Sequence, residues 1–474
     1  MKRGYLKTLP TILCLGVALC WGRPAEAEDP NAILDLLEHK GLITHEEAVE
    51  ARKYYEKQSA DTVVKDDKTK VSSWVNQIKW SGDARLRAEY FEFESNPTTG
   101  LKLQSDRLRY RLRLRFGAEA QLQDWADVGF RVGTGDCGDP YNGLSQNSTF
   151  TDTFRKKPIN LDLGYFTIHP PGWDWVQVTG GKMLVPFWHP VNLSPVIYDP
   201  DVTPEGVAEK LAFKLGDKQQ FKLFGNFGQF ALKEFSTDAN DIYLFDFQGG
   251  VEANLPHVKA TVGGGYYLTD NLHLLRASPS PGSGAPAGTT PGNIGTADSA
   301  NTGNGVSTGT STNYLGNFNV LYGQTEVAWT ICDDPLLGTP SVLTVGGEYL
   351  WNMSGVYDHA SASNPDKQTV GWAVQAGFGK TEKAGQWMVA YEYKRLEANA
   401  TFDAIVDDDF GSFGGTDRKG HVIAAVYCPK DWWLLGFKAF VTEKIDDART
   451  GAHSQRGFAG QDSLRVQADT TFKF

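Results

Sequence analysis

The 474-residue chain carries 46 Lys and Arg against 57 Asp and Glu, a formal charge of −11 that makes nucleic acid a poor partner. Its 51 glycines, 12% aromatic residues and mean hydropathy of −0.36 are unusual for a soluble enzyme core but natural for a barrel with a wet interior and aromatic girdles. Cys14 and Cys20 lie in an N-terminal leader, Cys137, Cys332 and Cys428 are an odd and widely spaced set, and no C-x-x-C-H is present, which excludes a disulfide framework and covalently attached c-type haem.

The leader is the first predicted element. Lys2, Arg3 and Lys7 precede an apolar stretch from Leu9 to Trp21, and Ala25-Glu26-Ala27 fits the small-x-small rule for cleavage. Residues 1–27 therefore read as a signal peptide, with Glu28 as the mature N-terminus. Leu19 is too large beside a lipid-modified cysteine, so Cys20 is no lipoprotein site. The leader holds four basic residues and one acidic one, so its removal takes the charge from −11 to −14. No other apolar segment reaches the roughly 18 residues of a membrane helix, so a mature chain in a membrane must cross it with strands.

Residues 28–75 read as a periplasmic helical hairpin and tether. Ile33, Leu34, Leu36 and Leu37 give one apolar face, and Gly41 breaks it. Thr44 and Glu47 form a capping box for a second helix through Ala48, Val49, Ala51 and Tyr55. The segment is either a module for oligomerisation or wall contact, or a small appendage.

From Ile78 onward, period-two alternation predicts strands near 78–93, 105–122, 126–134, 158–168, 175–187, 206–216, 219–232, 241–253, 258–268, 317–331, 340–353, 369–380, 386–398, 418–428, 432–444 and 462–474. That makes about sixteen, and an all-β transmembrane antiparallel barrel over 76–474. Short turns, such as 255–257 and 429–431, alternate with long loops at 135–157, 188–205, 269–316, 399–417 and 445–461. The short ones belong on the periplasmic side and the long ones outside the cell. Ala277–Thr312 is a low-complexity Gly/Ser/Thr/Pro tract, read as a mobile surface loop. Trp173, Trp175, Trp432 and Trp433 fall at periplasmic strand ends and Trp188 and Trp351 at the others, where interfacial aromatics belong.

The last strand places Leu464, Val466, Ala468, Thr470, Phe472 and Phe474 on one face and Arg465, Gln467, Asp469, Thr471 and Lys473 on the other. It resembles the closing strand of bacterial outer-membrane barrels, whose terminal aromatic is the assembly signal. By that likeness Phe474 is read by the barrel-assembly machinery. Trp80-Ser81-Gly82-Asp83-Ala84-Arg85-Leu86-Arg87, Arg107 to Gly117, Lys156-Lys157-Pro158-Ile159-Asn160-Leu161-Asp162, Gly181-Lys182-Met183, Tyr198-Asp199-Pro200-Asp201 and Pro204-Glu205-Gly206 occur in an order similar to the "putative porin" family of Gram-negative bacteria. The resemblance covers most of 30–474. It implies a porin-type barrel in the outer membrane, in contact with lipid and lipopolysaccharide. Barrels of this size also imply a homotrimer, for which Gly82, Ala84 and Ala88 offer a flat outer face.

The candidate site is the lumen. Arg107, Arg109, Arg111, Arg113 and Arg115 alternate with Leu108, Tyr110, Leu112, Leu114 and Phe116, so all five guanidinium groups point one way, roughly 7 Å apart. On the lipid face each would cost about 2–4 kcal/mol near the midplane, so they face the lumen. Arg85, Arg87, Lys210 and Lys214 extend this basic lining. Asp246, Glu252, Glu326, Glu348 and Glu392 take the inward register later in the chain and suggest an acidic wall opposite. In general-diffusion porins the third loop folds into the pore. Here it would bring in Asp199, Asp201 and Glu205, and a basic wall opposite an acidic loop gives a transverse field that sieves by charge. The competing reading pairs the arginines with Asp83, Glu89 and Glu119 as interior supports.

The nine histidines show no metal-ligand spacing. Asp407-Asp408-Asp409 is read as an exposed turn, with a divalent ion bridging lipopolysaccharide as the sharper alternative. No serine–histidine pair stands on adjacent predicted strands, so no catalytic residue is assigned and no enzyme is expected. No cofactor is implied. Two functions remain: passive diffusion of small hydrophilic solutes with anion preference, or a barrel sheathing a partner multihaem cytochrome.

Overall fold

A strand with one face for lipid and one for water has its backbone satisfied only by neighbours on both sides, so such a sheet has to close. In the computed structural model it does. The described residues are 74–93, 106–135, 145–154, 156–191, 193–216, 218–235, 240–275, 314, 316–355, 368–411, 414–445 and 462–474, with Val49 and Ser72 besides. Two units separate at Ser72. In the first, Met1–Ser72, only those two residues are described, Val49 as helix. The predicted signal peptide, the rest of the helical hairpin, the Ala277–Thr312 tract and Cys137 lie outside the described residues.

The second unit is a barrel. Its strands are β1 (Val75–Phe93), β2 (Arg107–Leu122), β3 (Ala126–Thr134), β4 (Ser148–Thr149), β5 (Ile159–Ile168), β6 (Val176–Lys182), β7 (Glu205–Leu215), β8 (Phe221–Lys233) and β9 (Ile242–Leu255). Then follow β10 (Val258–Asp270), β11 (Asn319–Leu336), β12 (Thr339–Asn352), β13 (Val370–Gly379), β14 (Trp387–Leu396), β15 (Arg418–Lys430), β16 (Trp433–Lys444) and β17 (Ser463–Lys473). Sequential neighbours pair antiparallel, and β17 returns to β1 in the register Asp83↔Lys473 to Phe93↔Ser463. β4 is a two-residue bridge to Arg111 and Leu112 of β2. The remaining sixteen strands close the wall, each where alternation predicts one.

One strand is shorter than expected. β6 stops at Lys182, not near 187, because Met183 and Phe187 turn inward and bury their side chains inside the barrel. The outward faces are apolar: Leu86, Tyr90, Leu108, Phe130, Phe247 and Val345 are exposed, as a lipid-facing belt requires. Trp173 stacks on Trp175 at 5.6 Å, and Trp432 and Trp433 stack on Phe472, forming a girdle at the short-turn end.

The interior is not wholly wet. Met183, Phe187, Val196 and Ile197 pack with Phe402, Ile405 and Val406 against lumen-side Phe230, Tyr267, Tyr322 and Leu396. Segment 188–205, expected as a third outer loop folding into the pore, does enter the lumen. Segment 397–411 does so too, although 399–417 reads as an extracellular loop. Asp407 is accordingly buried rather than part of an exposed turn. Trp188, expected at the membrane interface, rides inward on the first of these segments and packs on Phe224.

Candidate functional site: the constricted lumen

The register of β1, β2 and β17 builds a lattice of charges. Arg85 stands opposite Arg113, Arg87 opposite Arg111, and Glu89 opposite Arg109 on β2 and Gln467 on β17. Like charges directly opposite destabilise a sheet, so this lattice needs counter-ions. They are present. Asp83 accepts from Arg113 Nη2 at 2.9 Å and Arg115 Nε at 2.6 Å. Glu89, fully buried, accepts from Arg109, from Arg465 Nε at 2.7 Å and from Gln467 at 2.9 Å, with Arg111 at 3.9 Å. Asp469 holds Arg87 through two bonds of 2.8 and 2.9 Å and lies 4.0 Å from Arg85.

Two inward stretches of chain complete the lattice. Arg85 donates to Asn147 Oδ1 at 2.6 Å, and Arg111 donates to Ser145 Oγ and Asn147 O at 3.1 and 2.9 Å. From 397–411, Asp409 takes Arg87 at 3.1 Å and also Arg465. The arginine row is thus ion-paired from Arg109 to Arg115, and of the five only Arg107, at the outer strand end, is exposed. Asp83 and Glu89 serve as the alternative reading foresaw. Glu119 instead accepts the Tyr165 hydroxyl at 2.7 Å.

The acidic triplet of the constriction loop is dispersed. Asp201 lies 4.0 Å from Arg113, in direct contact with the basic wall rather than across a gap from it. Asp199 is buried against Asp408, whose N–H it accepts at 3.0 Å. Glu205 belongs to the outer face and pairs with Lys182 at 3.0 Å. Lys210 and Lys214 do face the lumen, opposite Asn226 and Lys222 of β8.

The far wall clamps a crossing chain. Gln248 accepts from Trp188 N at 2.8 Å, Glu326 from Val191 N at 2.5 Å, Glu392 from Leu193 N at 2.7 Å and Ser194 N at 3.2 Å, and Glu348 from Val196 N at 3.2 Å. Lys394 donates to Ser194 Oγ at 2.5 Å, and Lys438 to Leu193 O. Asp246 accepts from the hydroxyls of Tyr198 and Tyr322 at 2.7 and 2.9 Å. Of what reads in sequence as an acidic wall, Asp246, Glu326, Glu348 and Glu392 are acceptors for the backbone and tyrosines, while Glu252 pairs with Lys222 and Lys259. Gln248, Lys394, Lys438 and Ser194 are site residues that sequence reasoning missed. The available signal was the inward register of the first three opposite the proline-bounded segment that carries Ser194.

A sixteen-stranded barrel with two segments narrowing its lumen is now in view, and a family comparison decides its kinship: the model described as "Putative porin" matches residues 94–454. The chain belongs to that porin family. Its barrel is an outer-membrane channel of porin type. A comparison with curated proteins gave no match. Among solved structures, OprB of Pseudomonas putida is 10% identical, with 84% of this chain and 94% of that one covered and a TM-score of 0.47. A loop-deletion mutant of OmpT of Vibrio cholerae is 12% identical over 84% and 99%, at 0.43. The outer-membrane channel DcaP of Acinetobacter baumannii is 12% identical over 85% and 99%, at 0.42. None of these likenesses bears on what this porin passes.

Where the two inward segments meet, Asp199, Asp407 and Asp408 bring carboxylate oxygens within 4.8 Å of one another, near enough to share a divalent ion. Asp199 and Asp407 already accept backbone N–H bonds from Asp201 and Asp409 at 2.6 and 2.8 Å, so they are also local loop staples. Burial, then the neighbouring Asp409 charge, pushes the Asp408 carboxyl up to about 7. Burial and Asp408 push Asp199 well above the usual carboxylate range. A solute crossing this lumen meets the half-covered edge of the lattice, where Arg115 and Asp469 side chains keep 20% of their exposure and Arg113 keeps 11%.

Proposed function

We propose that this porin is a water-filled pathway for passive diffusion of small hydrophilic solutes, with a preference for anions. The mature chain begins at Glu28 after cleavage of the leader and assembles as a homotrimer. One observation carries the preference: eight arginines stand on the lumen faces of β17, β1 and β2, namely Arg465, Arg85, Arg87, Arg107, Arg109, Arg111, Arg113 and Arg115, against Asp83, Glu89, Glu119 and Asp469. Asp201 and Asp409 on the inward segments reduce the excess without cancelling it. The uncompensated charge acts at the exposed edge, because buried pairs such as Arg109–Glu89 are neutral from outside.

The test follows from that division. A triple variant Arg85→Gln, Arg113→Gln, Arg115→Gln in planar bilayers under a salt gradient is expected to shift the zero-current potential toward cation selectivity. The shift should be larger at 0.1 M than at 1 M salt, since the Debye length falls from about 10 Å to about 3 Å. An unchanged potential rejects the preference. The flat-face model of the trimer loses one element, since Gly82 is covered by the Phe474 ring. Ala84 and Ala88 remain, and the mass of the complex in mild detergent decides the stoichiometry. The cytochrome-sheath alternative is disfavoured, because the porin's own segments occupy the lumen that a cytochrome would need.

A further inference from the structure

Toward the short-turn end, between Val185–Trp188 and the lumen faces of β6 to β9, lies a cavity of about 360 Å³. That is within the usual range for small-molecule sites, about 300–1,000 Å³. Its apolar side is built in advance. The Trp188 and Phe224 rings stand 6.2 Å apart, with Phe187 beside them. Two wall glycines make room for the rings: a Cβ on Gly263 would press to 3.2 Å from Trp188, and one on Gly250 would overlap Phe224. Gln248 fixes Trp188 from both sides, accepting its N–H at 2.8 Å and donating to its carbonyl at 2.6 Å. A ligand ring laid against these faces would meet surfaces that lose little freedom on binding.

The polar side is unequal. Lys222 lies 3.6 Å from Glu252, which also takes Lys259 at 3.3 Å and the Asn254 amide at 2.9 Å. Asp174 sits exposed at the lip. Lys210, set between Gln177 and Asn226 in the sheet, has no carboxylate within 4 Å among the described residues. A cation without a counter-ion therefore faces a cavity whose other side is aromatic.

We propose that this cavity is a binding subsite for a small organic monocarboxylate with a flat apolar body, its carboxylate on Lys210 and its ring against Trp188 and Phe224. The proposal rests on the porin reading only in that solute reaches the cavity through the lumen. The probes are benzoate and its uncharged analogue benzamide, added to the purified, folded full-length barrel in detergent and followed by calorimetry, and in parallel to single channels. Benzoate is expected to bind about tenfold tighter than benzamide, the scale of one charge-assisted hydrogen bond in a partly wet site. It should interrupt the potassium chloride current. In Lys210→Gln the preference should collapse, and Phe224→Leu should weaken both ligands. Equal binding of the two probes, no binding of either at millimolar concentration, or an undiminished preference in Lys210→Gln overturns the subsite. Absence of any potassium chloride conductance counts against the porin reading alone, because calorimetry still reads the cavity.

Discussion

The two sides of the lumen hold their inward chain by opposite means. On the side of β17, β1 and β2, guanidinium groups and carboxylates lock to one another, and inward stretches enter as further ligands: Asn147, Ser145 and Asp409. On the side of β9 to β14, side-chain acceptors take backbone N–H groups of 188–196, and aromatic packing around Phe402 and Tyr267 does the rest. The first side cannot lose one member without stranding a buried charge. The second distributes its hold over several modest bonds, so each can be lost locally.

The largest effect should come from Glu89→Gln. That carboxylate is fully buried among Arg109, Arg111 and Arg465, and breaking a buried pair costs about 3–5 kcal/mol. The folded, heat-modifiable band on a denaturing gel should disappear at a clearly lower temperature, or fail to form. Wild-type thermal resistance would mean that water already screens the cluster.

A smaller, local effect is expected on the other side. Glu326→Ala removes the acceptor of one backbone N–H group, worth about 1–3 kcal/mol, and breaks no ion pair among the described residues. The barrel should survive heating as before, while single channels show higher conductance and more flicker as 188–196 loosens. Loss of the folded barrel instead would make the two sides energetically alike.

The smallest effect is pH-dependent and sits where the two segments touch. Asp408 faces Asp199, Asp201, Asp407, Asp409 and Arg465, and its folded pKa of about 7 exceeds the unfolded value of 3.8. A raised carboxyl pKa means the docked segment keeps a proton that the released one gives up. The contact is therefore strongest below about pH 4 and weakens as pH rises to about 7. Current noise in the wild type should grow from pH 5 to pH 8, and Asp408→Asn should stay quiet throughout. Identical profiles for the two proteins would place the relevant proton elsewhere.

The strands were legible because period two is local information: each of the sixteen announces itself within a dozen residues. The face of the arginine row was legible for the same reason. Its partners were not. Arg87 is held by Asp409 and Asp469, 322 and 382 positions along the chain, and nothing in a strand pattern selects those two from the other acids. Glu326, Glu348 and Glu392 were placed on the correct face with the wrong task, since their bonds depend on the path of 188–196 through the lumen. The same path explains Trp188. An aromatic at a strand end suits an interface, but this one continues a chain already turned inward at Met183.

At the seam between β1 and β17, the Gly82 N–H donates to Phe474 O at 2.7 Å and Phe474 N donates back to Gly82 O at 3.1 Å. The terminal ring lies so close over Gly82 that any Cβ there would collide with it. Along the chain, β1 and β17 are the two most distant of the described strands, and each waits for the other. Until β17 docks, the ladder groups of β1 that face it are an open edge, able to pair with any other exposed strand. The finished seam removes both edges in one step, and a glycine on β1 leaves room for the ring of Phe474.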